Sequence, residues 1–194
     1  FDVVHLNSLT LLDVANVRFP MVLHVREVID SISQAAYIQD RLNKIGKVVF
    51  IDEATSFALR DFKISSECIL NNPFSMKELY EVKSSDELQY LNSLCNDKVV
   101  FSLIGKIHKD KGIEFVIDVF AKITNDTRIL LIKGGGDSKY ISYLKSKATE
   151  NVFFLDEGPD VENLYLVSDY ILRGEDFPCI GRTTFEALYA GLGV

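Results

Sequence analysis

Short apolar runs rich in β-branched residues alternate along the chain with longer segments in which apolar residues recur at the helical period. The runs predict strands at residues 3–6, 21–25, 47–51, 68–70, 99–104, 128–132, 152–155 and 170–172. The longer segments predict helices near residues 34–44, 55–60, 113–123, 139–148, 161–167 and 183–190. Such alternation is typical of parallel sheets whose strands are buried on both faces by crossover helices. We therefore predict an α/β fold with doubly wound parallel sheets, in which a ligand lies beyond the carboxyl ends of the strands at the topological switch point.

The segment 77–97 interrupts this pattern, because it consists mostly of Lys, Glu, Ser and Asn with spaced Leu and Tyr residues. It is predicted to be either a linker or one amphipathic helix. The boundary divides the 194 residues into a front part, 1–76, and a more regular back part, 98–194. A chain of this length accommodates one large domain or two small ones.

Composition and charge narrow the class of protein. Apolar residues make up 47% of the chain and charged residues 25%, which is ordinary for a globular protein and argues against disorder. The formal net charge of -7 disfavours a general nucleic-acid-binding surface. Cys68, Cys95 and Cys179 lie far apart and form no CxxC pair, so we expect neither a zinc site nor a disulfide framework, and a reducing cytoplasm fits best.

Two further features concern location and completeness. No apolar run approaches the roughly 18 to 20 residues that cross a bilayer, so the chain is expected to be soluble or peripheral. The sequence starts without Met inside a strand-like run and stops just after a helix-like segment. We therefore expect it to be part of a longer protein.

A basic loop, residues 105–112, runs from a predicted strand directly to a predicted helix and reads Gly-Lys-Ile-His-Lys-Asp-Lys-Gly. Ammonium groups and helix N-terminal amides both favour negative charge, so this loop suits a phosphate-bearing ligand. A solvated surface loop is the alternative, because lysines in loops are common.

The glycine triplet Gly134 to Gly136 follows the strand predicted at residues 128–132. It either lets the backbone approach a ligand closely or makes a tight turn between strand and helix. The G-x-G-x-x-G dinucleotide pattern is not met, because position 139 is Lys. A nicotinamide or flavin cofactor is therefore not predicted, and a Rossmann dehydrogenase ranks last among the functions considered.

A third candidate segment, residues 175–186, again joins a predicted strand to a predicted helix. Gly181 frees the backbone at the helix start, and Thr183 and Thr184 offer hydroxyl and amide donors there. Glu186 lies near the first turn. The alternative is an ordinary helix start whose acidic residue complements the helix dipole.

Together these segments resemble the C-terminal domain of the family 4 (group 1) glycosyltransferases, which have the two-domain, Rossmann-like GT-B fold. The basic loop matches that family's G-R-x-x-x-E-K-G motif, with Lys106 for Arg, Asp110 for Glu, and Lys111 and Gly112 retained. Residues 181–194 resemble the end of its E-x7-E segment and the Ala-Gly-x-x-Val run that follows that segment. Order and spacing agree over residues 98–194, so a partial GT-B architecture is expected.

The front part resembles the family's N-terminal domain more loosely, through the Asp-Val-Val-His run at residues 2–5 and the strand ending near Asp52. It would be the back portion of the acceptor-side domain. The family often has a His at the end of the strand at residues 21–25, and in register that place is taken by Arg26. His24 lies two residues earlier on the same face of the strand, where a packed or stacked histidine is the alternative.

The E-x7-E segment departs from the family pattern, because counting eight residues back from Glu186 reaches Pro178. The resemblance gives the first glutamate contacts with the donor sugar. Glu175 or Asp176 would substitute for it only in a loop of different shape.

The resemblance implies a retaining, metal-independent hexosyltransferase that moves a sugar from a nucleotide-diphosphate donor to a glycan or lipid-linked acceptor. Lys106, Lys111 and the helix start at Gly181 to Thr184 would stabilise the departing diphosphate, and Glu186 would bind the ribose hydroxyls. The implied donor-binding residues are Gly105, Lys106, Lys111, Gly181, Arg182, Thr183, Thr184 and Glu186. The implied catalytic residues are His24, Arg26 and Glu175, and those flanking the base are Gly134, Gly135 and Gly158, with Asp160 at the end of the second base loop.

The resemblance also implies that the enzyme needs no metal and no cofactor besides the donor, and that it binds no nucleic acid. It further implies a cytoplasmic location and a role in bacterial surface-polysaccharide synthesis. Peripheral contact with the inner face of the membrane would come from regions outside this sequence. Two alternatives stay open. One is a nucleotide-sugar binding or regulatory module that has lost catalysis, which Pro178 and Arg26 motivate. The other is an epimerase or phosphorylase of similar fold.

Overall fold

Residues 2–15, 18–28, 33, 35–71, 85–123, 127–158, 160–176 and 181–194 are described by the structure, which is a computed structural model. These residues fall into two compact units, one up to residue 71 and one from residue 85 onward. Each unit has its own parallel sheet and its own apolar core. The predicted α/β architecture with Rossmann-like parallel sheets is confirmed.

In the first unit, the described strands pair in sequence order and are all parallel. They are β1 (Val4–Leu6), β2 (Met21–Val25), β3 (Lys47–Phe50) and β4 (Glu67–Ile69). Helix α1 (Ala35–Leu42) lies between β2 and β3, and the short helix α2 (Glu53–Ser56) follows β3. Leu6, Leu23 and Phe50 point from neighbouring strands into one apolar core.

The described residues cover one face of this first sheet and leave the other partly open. In β2, Met21 and Leu23 are buried, whereas the intervening Val22 and His24 are only half-buried. In this sheet one face is therefore buried fully and the other only in part. The sequence does not distinguish the two faces, because Val22 on the half-buried face is as apolar as its neighbours.

In the second unit, the described strands form a parallel sheet in the order β7-β6-β5-β8. The strands are β5 (Val99–Ile104), β6 (Arg128–Lys133), β7 (Val152–Leu155) and β8 (Tyr170–Ile171). The helices are α3 (Asp86–Cys95), α4 (Ile113–Phe120), α5 (Ser138–Lys147), α6 (Glu162–Val167) and α7 (Arg182–Tyr189). The chain winds from β5 to β7 in one direction and then returns to place β8 on the other side of β5. The topological switch point therefore lies between β5 and β8.

This second sheet is covered on both faces, as predicted. Leu130 and Ile132 of β6 pack with the residues of α4 and α5, including Ile117. The intervening Ile129 and Leu131 pack against the opposite layer. Burial on both faces explains why β6 is almost continuously apolar.

The segment predicted as a linker or amphipathic helix contains α3, while residues 77–84 lie outside the described residues. The side chain of Ser85 accepts a hydrogen bond from the amide of Leu88 and so caps the start of α3. Leu91 on the inner side of α3 is fully buried among residues of the second sheet and Leu164 of α6. Helix α3 is therefore part of the second unit.

Several boundaries differ from those predicted. The helix expected at 55–60 starts earlier, at Glu53, because the Asp52 side chain and Thr55 form a capping box. Helix α4 ends at Phe120 rather than at residue 123. Two short 3-10 helices, Leu9–Val14 and Lys109–Lys111, were not predicted. No helix in the described ranges is long and apolar enough to cross a membrane.

Candidate functional site

The basic loop of residues 105–112 leaves the carboxyl end of β5 and lies against the end of β6. The amide of Gly105 donates a 3.0 Å hydrogen bond to the carbonyl of Lys133. A Cβ atom on Gly134 would overlap the carbonyl oxygen of Gly105. Glycine at position 134 is therefore required for the close approach of these two loops, rather than for a tight turn alone.

The β8–α7 loop, residues 172–181, meets the basic loop at the switch point, and its residues 177–180 lie outside the described residues. Gly112 has a left-handed backbone with φ of 61°. A Cβ atom on Gly112 would overlap the carbonyl oxygen of Gly174. Both the dihedral angle and this contact exclude a larger residue, so Gly112 is what allows the two loops to touch.

A carboxylate shared by two cations lies at this contact. Nζ of Lys111 donates to Oε1 of Glu175 at 2.8 Å, and Nε of Arg173 donates to Oε2 of the same carboxylate at 3.2 Å. The Glu175 side chain is only 8% exposed, whereas that of Lys111 is 41% exposed. The structure thus brings together Lys111 and Glu175, which were predicted to act at the site, and adds Arg173.

The ionisation of Glu175 reflects these contacts. Burial raises the pKa of this carboxyl, but the hydrogen bonds from Arg173 and Lys111 outweigh burial and hold the pKa below its ordinary value. The carboxylate is therefore charged at neutral pH.

Helix α7 starts beside this cluster. Gly181 is its extended N-cap residue and supplies no side-chain cap. The amide of Thr184 donates to the carbonyl of Gly181 at 3.1 Å. The hydroxyl oxygen of Thr184 lies 3.5 Å from Nη1 of Arg173, and Thr183 is half-buried next to it. The start of α7 carries the positive end of the helix dipole. It therefore lies beside the cluster that contains Arg173 and Lys111.

Glu186 lies one turn further along α7 and is held by two donors. The hydroxyl of Tyr165 donates to its Oε2 at 2.7 Å, and Nε of Arg182 donates to its Oε1 at 2.9 Å. The Glu186 side chain is 17% exposed, while that of Arg182 is mostly exposed. Burial, followed by the hydrogen bond to Glu186, raises the pKa of Tyr165 far above its ordinary value, so this hydroxyl remains a donor.

The remaining predicted donor-binding and base-flanking residues lie in the loops that follow β5, β6 and β7. Lys106 is exposed at the start of the basic loop. A Cβ atom on Gly135 would overlap the carboxylate of Glu157, which follows β7. Gly158 is exposed, with nothing within 4 Å of its Cβ position. These glycines follow the carboxyl ends of β6 and β7, on the side of β5 away from β8. Their contact with a base remains a prediction.

The predicted catalytic residues of the first unit lie at the carboxyl end of β2. The rings of His24 and His5 stack with centroids 5.6 Å apart. Nε2 of His24 is buried and has no hydrogen-bond partner among the described residues. Burial, the His5 ring and Arg26 together lower the pKa of His24, so it is neutral at pH 7. The structure shows His24 stacked on His5 of the neighbouring strand, and its role in catalysis remains a prediction.

Arg26 is exposed just past the end of β2, and its backbone is tied down by Glu27. The carboxylate of Glu27 accepts hydrogen bonds of 3.1 Å from the amides of Arg26 and Leu9. Burial raises the pKa of Glu27. The hydrogen bonds from the two amides and from Ser8 lower it by more, so the pKa lies below its ordinary value. Glu27 therefore joins the ends of β1 and β2, and it positions Arg26.

Sequence reasoning missed Arg173, Tyr165 and Glu27. Arg173 carried a usable signal, because it directly follows a predicted strand at the switch point and precedes Glu175 by two residues. Tyr165 lies within a predicted helix and gave no such signal. Pro178, the departure from the family motif, lies outside the described residues. In the parts of the chain that the structure describes, no group of three or more His, Cys, Asp or Glu residues is arranged to hold a metal ion.

Neither a protein-family model nor a curated protein matches the sequence. Solved structures match its fold. HepE from Anabaena, in complex with UDP and glucose, superposes with a TM-score of 0.80 at 19% identity, covering 99% of this chain and 58% of HepE. Sucrose-phosphate synthase from Thermosynechococcus elongatus superposes with a TM-score of 0.75 at 15% identity, covering 99% of this chain and 55% of the synthase. These structures belong to the GT-B glycosyltransferases. The chain has the GT-B fold.

WaaG, a glycosyltransferase involved in lipopolysaccharide biosynthesis, shows the same GT-B arrangement at lower similarity. Its TM-score is 0.64 at 14% identity, covering 89% of this chain and 58% of WaaG. The chain thus spans little more than half the length of these GT-B proteins. Because GT-B sheets carry different site residues in different proteins, the activity must be argued from the residues at the switch point.

Proposed function

We propose that this protein binds a nucleotide-diphosphate sugar at the switch point of its second sheet and transfers the sugar to an acceptor. The observation that carries the proposal is the cluster at the contact of the two loops, where Lys111 is held 2.8 Å from Glu175 beside the start of α7. A fixed ammonium and a helix N-terminus are suited to a diphosphate. The fold supports it, since HepE was solved with UDP.

The proposed donor pose follows the loops. The diphosphate lies against Lys111 and the start of α7, with the hydroxyls of Thr183 and Thr184 as further donors. Glu186 accepts hydrogen bonds from the ribose hydroxyls, as acidic residues do in other dinucleotide-binding folds. Tyr165 and Arg182 orient that carboxylate. The base lies between the glycine loops that follow β6 and β7.

The proposed chemistry is transfer with retention of anomeric configuration and without a metal. The bond from the anomeric carbon to the diphosphate oxygen breaks, and its electron pair leaves with the nucleoside diphosphate. A bond from the same carbon to an acceptor hydroxyl oxygen forms, and that hydroxyl loses its proton to the departing phosphate. Fixed positive groups stabilise the charge that develops on the leaving group and need no reorganisation during the reaction.

We propose a glycan or lipid-linked acceptor, a cytoplasmic location and a role in bacterial surface-polysaccharide synthesis. HepE supports the donor class, because it was solved in complex with UDP and glucose. WaaG supports the kind of product, because it is involved in lipopolysaccharide biosynthesis. The roles of His24 and Arg26 in transfer belong to the same proposal.

A second candidate function is nucleotide-sugar binding without turnover. The observation that favours it is the engagement of Glu175, whose two carboxylate oxygens each accept from a cation. In this candidate function Glu175 holds the two cations in place of the donor sugar, and the sugar contact of the family's first glutamate is not made. Binding and transfer are separated by one measurement, the release of nucleoside diphosphate from a bound donor sugar with and without sugar acceptors.

The direct test is calorimetric titration of the protein with UDP, GDP and UDP-glucose at low salt without added metal. We expect Lys111→Ala and Glu186→Ala to weaken binding by roughly 10-fold to 150-fold each, the equivalent of about 1.5 to 3 kcal/mol for a charge-assisted hydrogen bond. Lys122→Ala is the matched control, because this exposed lysine follows the far end of α4. A folded protein that binds none of these ligands, or loses nothing in the first two variants, would overturn the proposal.

A further inference from the structure

Lys133 ends β6 and leads directly into the glycine triplet Gly134 to Gly136. Its side chain is only 4% exposed, whereas the preceding residues of β6, Ile129 to Ile132, are apolar and fill the core. Burying an ammonium group costs free energy that an apolar side chain of similar length would not cost. The buried charge therefore requires a partner that holds it in place.

The partner of Lys133 is Glu87 in the first turn of α3. The ammonium of Lys133 donates to Oε1 of Glu87, and the side-chain amide of Asn163 donates to Oε2 of the same carboxylate at 2.8 Å. Asn163 is also buried, and its amide nitrogen lies 3.4 Å from the hydroxyl oxygen of Ser85, the N-cap of α3. Each carboxylate oxygen of Glu87 thus holds a different element of the second unit.

The two residues that Glu87 holds border the two loops proposed to flank the base. Lys133 immediately precedes the glycine triplet. Asn163 lies in the first turn of α6, the helix that follows the β7 loop (residues 156–158). Glu87 therefore connects the end of β6 to the start of α6, through groups that are buried beside these loops.

The glycine triplet is packed closely against its neighbours. A Cβ atom on Gly135 would overlap the carboxylate of Glu157 in the β7 loop, and one on Gly136 would overlap the carbonyl oxygen of Ile107 in the basic loop. A small displacement of β6 or α6 would therefore change the space between the loops. The connection through Glu87 opposes such a displacement.

We propose that Glu87 is a positioning residue of the donor site, which sets the separation of the two loops between which the base of the donor lies. The inference rests on the proposed function and deepens it, because it assigns base recognition to the spacing of these loops. Compared with apolar residues of the same volume, a buried ion pair contributes little net stability, whereas fixing one arrangement of neighbouring elements is its best-attested use. The pair of Glu87 and Lys133 is suited to that second role.

The test separates the base from the phosphates. Calorimetry measures the affinities for UDP, GDP and inorganic pyrophosphate, of which only the first two carry a base. In Glu87→Gln the amide nitrogen of glutamine faces one of the two donors, Lys133 or Asn163, and accepts nothing from it, so the connection is broken. We expect the affinity for the tighter-binding nucleotide to fall at least about fivefold, as for one misaligned hydrogen bond, and that for pyrophosphate to change less than about twofold.

A double variant distinguishes positioning from stability. Glu87→Gln with Lys133→Met removes both charges, lets methionine fill the space of the lysine and keeps an acceptor for Asn163. We expect urea unfolding to show that it regains part of the stability that either single variant loses, while its nucleotide affinity stays at least about fivefold below that of the unmodified protein. It also carries the test if Glu87→Gln does not fold, since it leaves no unpaired buried charge.

Two further variants complete the comparison. Asn163→Leu breaks the other arm of the connection, so it should produce a similar loss of affinity, and adding it to Glu87→Gln should produce little more. Ile117→Ala is the matched control, because Ile117 is fully buried in the core of the same unit but lies in the middle of α4. It destabilises the unit and is expected to change nucleotide affinity less than about twofold.

The outcomes separate this inference from the proposed function. If Lys111→Ala weakens nucleotide binding but neither Glu87→Gln nor the double variant does, the inference is wrong and the donor site stands. Nucleotide affinity that recovers together with stability in the double variant, or pyrophosphate affinity that falls as far as nucleotide affinity, would show a merely structural Glu87 and would also overturn it. If the folded, unmodified protein binds neither UDP nor GDP, both proposals fail.

Discussion

The hydroxyl of Tyr165 donates a 2.7 Å hydrogen bond to Oε2 of Glu186, joining helix α6 to helix α7. Tyr165 is buried and Glu186 is largely so. The carboxylate is therefore oriented by a group that takes no part in binding itself. This relationship makes Tyr165 a positioning residue for the proposed ribose contact.

Tyr165→Phe is expected to weaken UDP binding about threefold to tenfold and to lower the free energy of unfolding by about 1 kcal/mol, because one hydrogen bond is lost and the ring still packs. Calorimetry and urea unfolding measure the two effects. Tyr143→Phe is the matched control, since it removes an exposed hydrogen bond from Tyr143 of α5 to Glu114 of α4. Unchanged UDP affinity in Tyr165→Phe would contradict the positioning role.

The buried Lys133 at the end of β6 is a second test, this time of stability. Its ammonium pairs with Glu87 of α3, and Glu87 also accepts a 2.8 Å hydrogen bond from Asn163. Lys133→Met leaves that carboxylate without its cation, so we expect the free energy of unfolding to fall by about 3 kcal/mol. Adding Glu87→Gln to Lys133→Met should restore part of the loss.

The control for Lys133 is Lys147→Met, because Lys147 forms ion pairs with Glu114 and Asp118 on the exposed surface of the same unit. Exposed pairs contribute little, so a change below about 1 kcal/mol is expected in urea unfolding. Similar losses in the two methionine variants would show that burial does not distinguish these ion pairs.

The pH dependence of stability should reveal the paired state of Glu175. Its pKa is lowered in the folded protein, so its contribution is present above its ordinary pKa of 4.5 and is lost as the pH falls through the folded value. The difference in unfolding free energy between the protein and Glu175→Gln should therefore be constant from pH 6 to 8 and shrink below about pH 4.5. Glu150→Gln, which alters an exposed turn, is the control. A difference that does not change on acidification would refute the pairing.

His24 should titrate below the ordinary histidine pKa of 6.5, because burial, His5 and Arg26 all disfavour its charged form. Stability of the first unit is then lost as the pH falls from about 6.5 towards the folded pKa. We expect His5→Phe to raise the pKa of His24 and Arg26→Ala to raise it by less. NMR titration of the ring protons measures both shifts, and His108→Asn in the second unit should change neither. A pKa of His24 at or above 6.5 in the unmodified protein would be the contrary result.

Much of the second unit could be read from residues alone. Strand β6, which contains Ile129 and Leu131, is apolar at nearly every position, as expected of a sheet covered on both faces. Gly112 and Lys111 lie between such a strand and a helix, and this made the basic loop a candidate phosphate site, with a solvated surface loop as the alternative. The first sheet was harder, since Val22 is apolar although it is only half-buried.

The amino-acid sequence by itself determined the order of strands and helices, the α/β class, and the loops that hold glycine, lysine and threonine, because these depend on periodicity and on residue type over short distances. Only the tertiary structure decided that Lys111 and Glu175, 64 positions apart, share an ion pair, and that Arg173 joins them. Such pairs depend on strand order, and β8 lies next to β5 rather than β7. Strand order arises from the packing of the whole sheet, so local sequence does not contain it.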